Sequence, residues 1–223
     1  MPSTPPPPPR PDPPALSPEL EAVAVDDVLD GERHNSVVIT EGEVGDGSLA
    51  LWDARLERVA FTGATLERLE LTDVVLHDCE LSGATLTATS LRRVRFERCR
   101  MAGLVAVGLD AAHVAIVDSQ LRDAWLRGST FDHCELADCD LSEADLYEAK
   151  LTASRVVRCR LDGAELSKAR FAEVALHGSS LEGVKGAGGL RDVVISSDQV
   201  VPLAVALFAA TGVRVDDDYF DDE

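Results

Sequence analysis

Five cysteines and five histidines are the side chains in this sequence best suited to metal or redox chemistry. Thiolate and imidazole ligate zinc when they occur in close pairs, such as two C-x-x-C units or C-x-x-C with H-x-x-x-H. Cys79, Cys99, Cys134, Cys139 and Cys159 offer no such pair. Four of them differ by multiples of twenty, which is a structural period rather than a ligand spacing. His113 and His133 are also twenty apart, so they should stack. A two-histidine surface metal site fits that spacing, but solvated surface histidines are the expectation. Carboxylates are abundant, yet no Gly-rich phosphate loop, nucleophile elbow or HExxH is present to organise them. No catalytic residue, no metal and no cofactor is expected, and the chain is read as non-enzymatic.

The elements that carry these side chains are set by a period of five. From Leu51 to Leu181 every fifth residue is apolar, 27 positions in unbroken frame. An α-helix needs a period near 3.6 and a strand a period of 2, so neither keeps this series on one face. Two residues before each large position stands a mostly small one, including Ala54, Ala84, Ala124, Ala144, Ala164 and all five cysteines. One large and one small inward residue per five describe a narrow, tightly wound core. Where the large site shrinks to Ala106 and Ala111, the small site grows to Leu104 and Leu109, which keeps core volume roughly constant. Gly63, Gly83, Gly103, Gly163 and Gly183 add a period of twenty, so four units make one coil. Residues 51–181 then form six to seven coils, a rod roughly 30 Å long at ~4.8 Å per coil.

Stretches such as Ala-Thr-Leu-Glu-Arg, Cys-Glu-Leu-Ser-Gly, Ala-Asp-Leu-Tyr-Glu and Ala-Glu-Leu-Ser-Lys resemble the pentapeptide-repeat family. The flanks resemble an actinobacterial branch of it. The resemblance covers about 60% of the chain. It implies an all-β solenoid, a right-handed quadrilateral β-helix with the central Leu or Phe and the preceding small residue inside. It also implies two partner chemistries. Some members mimic DNA and occupy type II topoisomerases such as gyrase, protecting against quinolones or toxins. Others pair through a C-terminal helix.

The flanks divide the chain further. Residues 1–18 hold ten of the eleven prolines and are read as a disordered or polyproline II tail. A solvated tail is preferred there over a docking PxxP motif. Residues 19–50 are read as an N-terminal cap segment and 51–185 as the β-helix. Residues 186–215 supply a strand and an apolar helix, and 216–223 an acidic tail. Ser196 to Gln199 resembles a capping box that opens the helix, with Pro202 delaying its start and Gly212 as C-cap. That helix is expected to cap the last coil; a homodimer arm is the alternative. No charged segment followed by an apolar one marks a signal peptide, and no apolar run is long enough to span a bilayer, so the cytoplasm is the expected location.

Net charge is −19 but unevenly placed. Residues 1–50 carry ten acids against two bases, 51–181 twenty-one against sixteen, and 182–223 nine against three. Direct binding to nucleic acid is not expected, because phosphate contacts need clustered Lys and Arg. Outward charges twenty apart alternate in sign, as in Asp73/Arg93, Asp78/Arg98, Glu80/Arg100, Glu135/Arg155, Asp138/Arg158 and Asp140/Arg160, and should form ladders. One face departs from this pattern. Val105, Val107, Trp125 and Tyr147 point outward together and are the candidate contact residues for a protein partner. Burial under a folded-back N-terminal segment is the competing reading. Trp52 is expected to pack under the N-terminal cap.

Overall fold

The computed structural model describes residues 6–211. Its strands form one parallel ladder of stacked coils, about nine turns, with a single α-helix at the C-terminal end. Ile39 pairs with Leu56, Leu56 with Leu76, Leu76 with Phe96 and Phe96 with Ile116, so large residues lie above one another through the core. From the third coil up to the last rung, partners are twenty residues apart on every face; the last rung pairs Val174 with Val193 and Ala175 with Val194, nineteen apart. Two faces carry short strands, such as Asp110–Ala112 and Ala115–Val117. The other two are joined by single bridges, from Ala60↔Glu80 to Arg160↔Ser180 and from Thr85↔Val105 to Glu165↔Lys185.

Six to seven coils was too few, because the winding begins before residue 51. β1 (Glu21–Ala22) and β2 (Asp30–Glu43) are already rungs of the ladder, followed by β3 (Gly47–Ala60) and β4 (Thr65–His77). The β2–β3 register joins His34 to Leu51 and Ile39 to Leu56, an offset of seventeen rather than twenty. A shortened coil moves the apolar frame from Ile39, Val44 and Leu49 to Leu51 and Leu56. That slip hides the first coils from a search for fives. Ile39, Val44, Leu49, Leu51 and Leu56 are all buried.

Most coil corners lie two residues past a large inward position, and these corners are left-handed, Arg68 excepted. Asp73, Arg93, Asp78, Arg98, Asp138 and Arg158 all have φ between 51° and 56°. A side chain there costs of order 1 kcal/mol relative to glycine. The same residues make the charge ladder: Arg93 donates to Asp73 at 2.7 and 2.6 Å, Arg98 to Asp78 at 2.9 and 3.0 Å, and Arg158 to Asp138 at 2.7 and 2.6 Å. Bidentate pairing across coils thus offsets part of the corner strain and locks register. The ladder starts lower than expected, since Arg58 pairs with Glu41 of the unanticipated coil.

Both open ends are covered. A short 3₁₀ turn, Val25–Val28, sets Val25 and Val28 into the N-terminal end of the core. At the other end the chain leaves the last coil at Gly186, whose φ is 75° and where a Cβ would lie 2.3 Å from the backbone nitrogen of Ser167. Only glycine fits so close an approach. Val193–Val194 adds a last rung, Ser196 and Gln199 form a capping box, and α1 (Val200–Thr211) follows. The Gln199 amide donates to Leu176 O at 2.7 Å and Ser179 O at 2.6 Å, carbonyls of the terminal coil. Leu203 and Ala206 are buried in the core cluster, while Val201 and Val205 are 71% and 65% exposed. Gly212 and the acidic tail lie outside the described residues.

The described part of the proline-rich segment is not a free tail. Residues 6–17 run lengthwise along the rod, antiparallel to its winding direction. Ser17 N donates to Asp53, Ala15 N to Asp73 and Asp12 N to His113, and Arg155 donates to Pro8 O. Composition had pointed to a chain unable to pack a core. That remains so, and the segment lies on the polar outer edge of the rod instead.

Candidate partner-contact surface

The interior offers no room for a ligand. The space lined by Leu136, Leu141, Leu151, Leu161 and their neighbours is about 20 Å³, room for at most one water and wholly apolar. The cysteines belong to this interior. All five are buried and free, and their thiols point at carbonyls of their own and neighbouring coils, as Cys139 does toward Ile116 O and Ala137 O. Burial pushes the Cys134 thiol up to about 12. Cys99 and Cys139 are raised by the adjacent thiols of Cys79 and Cys159 and by burial. Cys99, Cys134 and Cys139, held protonated in this way, are poor nucleophiles and poor metal ligands, while Cys79 and Cys159 are lowered by the hydrogen bonds from Cys99 and Cys139 and remain buried. Where the column carries serine instead, Ser119, Ser154 and Ser179 accept the backbone N–H of Cys99, Cys134 and Cys159.

His113 and His133 stack as their spacing required, ring centroids 5.1 Å apart. His113 Nδ1 receives the Asp12 N–H, and His133 Nδ1 faces Asp132. Among the described residues no group of three His, Cys, Asp or Glu is placed to hold a metal ion.

The four candidate contact residues lie on one bridged face. Val105 and Trp125 are adjacent rungs, with Trp125 N donating to Leu104 O at 2.7 Å and Trp125 O accepting from Ala106 N at 2.9 Å. The indole therefore stands on a fixed backbone. Val107 and Trp125 are each 55% exposed, Val105 and Tyr147 half-buried. Tyr147 lies between two cations, with Arg127 5.6 Å and the Lys168 ammonium 4.8 Å from its ring centroid. Asp145 accepts from Arg127 and from the Tyr147 N–H, fixing the rung between them. The neighbouring corner is basic: Lys150, Lys168 and Arg170 line a shallow depression with Gly128 and Glu148. Lys150 and Arg170 are cross-strand neighbours of like charge. Among the described residues, the N-terminal segment leaves this surface uncovered, since its contacts run along the edge marked by Asp53, Asp73 and His113. Trp52, by contrast, is covered, by the Arg33 guanidinium 3.9 Å above its ring.

Sequence reasoning missed that second edge, formed by Asp53, Asp73, His113, Glu135 and Arg155. The signal for it was in the tail itself, where non-proline residues interrupt the prolines at Arg10, Asp12 and Ala15 to Ser17.

Stacked parallel coils around a closed apolar core, with polar corners outside, define a repeat solenoid. A model of pentapeptide repeats matches eight copies, over residues 79–110, 117–152 and 144–183. Over these residues the chain is built of pentapeptide repeats of that family. No curated protein matches it in sequence. Among solved structures, a trypsin-treated form of QnrB1, a plasmid-mediated fluoroquinolone resistance protein, is 20% identical over 84% of this chain and 91% of its own, with a TM-score of 0.48. A pentapeptide repeat protein from the Arabidopsis thaliana thylakoid lumen is 27% identical over 48% and 72%, with a TM-score of 0.39. One from the cyanobacterium Cyanothece 51142 is 15% identical over 74% and 88%, with a TM-score of 0.21. No helix among the described residues is long and apolar enough to cross a membrane.

Proposed function

We propose that this protein is a non-enzymatic scaffold that binds a protein partner through the Val105, Val107, Trp125 and Tyr147 face. The observation that carries this reading is an exposed Trp125 held on a rigid ladder beside Val107. Aromatic anchors on preorganised backbone bind with little loss of conformational freedom. The adjoining Lys150, Lys168 and Arg170 favour a partner whose contact is apolar at the centre and acidic at the rim. The test is recovery of partners from native extract by the parent and by Trp125→Ala. A partner retained by the parent, and weakened about tenfold or more by Trp125→Ala at unchanged stability, supports the reading. Equal retention by both proteins removes this face from the function.

Two further readings attach to particular features. Homodimerisation through α1 is favoured by the outward Val201 and Val205. DNA mimicry at gyrase follows from the family resemblance and the acidic total charge. The rod opposes it: Arg92, Arg93, Arg95, Arg98 and Arg100 each hold an acid, namely Asp110, Asp73, Glu97, Asp78 and Glu80. Few acids in that stretch are left to imitate phosphates.

A further inference from the structure

We propose that the edge of the rod along Asp53, Asp73, His113 and Arg155 is a binding track for polyproline II peptides, and that residues 6–17 are its tethered ligand. Three independent geometries meet there. The first is burial with a period of three: Pro8 is buried and Pro11 and Pro14 are half-buried, whereas Pro7, Pro9 and Pro13 are exposed. A polyproline II helix has three residues per turn, so these three prolines form one face, and it is the face turned to the rod.

The second is a match of spacings. Ser17 N meets Asp53, Ala15 N meets Asp73 and Asp12 N meets His113, at 2.6, 3.0 and 3.1 Å. Five residues of polyproline II rise ~15.5 Å. Asp53 and His113 are three twenty-residue coils apart, ~14.4 Å. The repeat of the rod and that of the peptide therefore run nearly in step over this stretch. The third is the donor pattern. A proline-rich chain has few N–H groups, and three of those in this segment each find an acceptor on the track. The carbonyl of Pro8 takes the guanidinium of Arg155, and Arg10 lies 4.0 Å from Glu135. Recognition thus reads proline shape on one side and backbone amides on another.

Tethering gives the tail an effective concentration in the millimolar range, so an external peptide competes poorly while the tail is attached. The test therefore starts from the full chain with a specific protease site inserted between Pro18 and Glu19. After folding, the chain is cut and the freed tail removed by gel filtration, with circular dichroism checking that the rod persists. A labelled peptide of residues 1–18 is expected to rebind the stripped rod and not the uncut protein. Ala15→Pro in that peptide deletes the N–H given to Asp73 and should weaken binding about tenfold. A tail that stays with the rod after cutting also supports the track. A folded, stripped rod that ignores the peptide, uncut protein that binds it equally, or an Ala15→Pro peptide of unchanged affinity overturns the proposal. Should the stripped rod unfold, amide exchange in the uncut chain decides. Asp12, Ala15 and Ser17 are expected to exchange about tenfold or more slower than in the free peptide, and equal rates would refute docking.

Discussion

Leu81 lies between Phe61 and Met101 with 2% of its surface exposed, whereas Thr87, six residues on, faces solvent. Leu81→Asp would bury an unpaired carboxylate in a core with no room for water, so the protein should not fold. Thr87→Asp should change stability by less than about 0.5 kcal/mol. Thermal unfolding of both variants checks the five-residue frame directly. The corner acids set a second expectation. Arg93 donates to Asp73, Arg98 to Asp78 and Arg158 to Asp138, and each carboxyl is held below its usual value of 3.8. A carboxyl depressed in the folded state contributes stability that is complete above the unfolded value and lost as pH falls through the folded one. Acid unfolding should therefore begin below about pH 4 and not above it. Asp73→Asn should shift the acid midpoint upward relative to the parent, as followed by circular dichroism. Because Asp73 also receives Ala15 N, the tail should loosen over the same range.

At the scale of elements, α1 has the clearest assigned task. Gln199 satisfies two terminal carbonyls, and Leu203 and Ala206 close the core behind it. Deleting residues 190–223 exposes strand edges and the Leu176 and Leu181 layer, so the truncated chain should aggregate end to end. Sedimentation of both proteins distinguishes this from a helix used only for pairing, which would leave a soluble monomer in place of a dimer. The repeats, the inward columns, the charge ladders and the capping box were legible because each repeats or obeys a local rule. What escaped reading has physical causes too. The coil before residue 51 is three residues short, which shifts Ile39 and Val44 out of the frame of Leu51 and Leu56. The tail's track depends on residues up to 147 positions apart, as Pro8 and Arg155 are. No window along the chain contains both. The outward run Val105, Val107, Trp125 and Tyr147 could be read as a face, because the twenty-residue coil fixes which side chains share a column. Whether anything covered it could not, since that depended on where the tail came to lie.

The whole molecule is acidic, but its charge is compensated where coils meet and uncompensated at the two ends of the sequence. A duplex mimic must present acids to a site built for phosphate, and its grip should weaken with salt. Purified protein in a gyrase supercoiling assay at several salt concentrations tests this. We expect no inhibition at micromolar protein. Salt-sensitive inhibition, weakened by reversing Asp138, Glu143, Asp145 and Glu148, would favour mimicry over the Trp125 face. The lengthwise tail has one more consequence. Solenoids of this kind contact only their neighbours, so whole coils can in principle be gained or lost with little local cost, and nothing in the stack counts them. A polyproline segment of fixed rise, anchored at Asp53 and again at Arg155, does count them. Duplicating or losing one coil would displace Arg155 from Pro8 by ~4.8 Å, half again the ~3.1 Å rise of one tail residue. The tail is a ruler laid against the stack, and it ties the number of coils in this protein to the length of a segment that belongs to none of them.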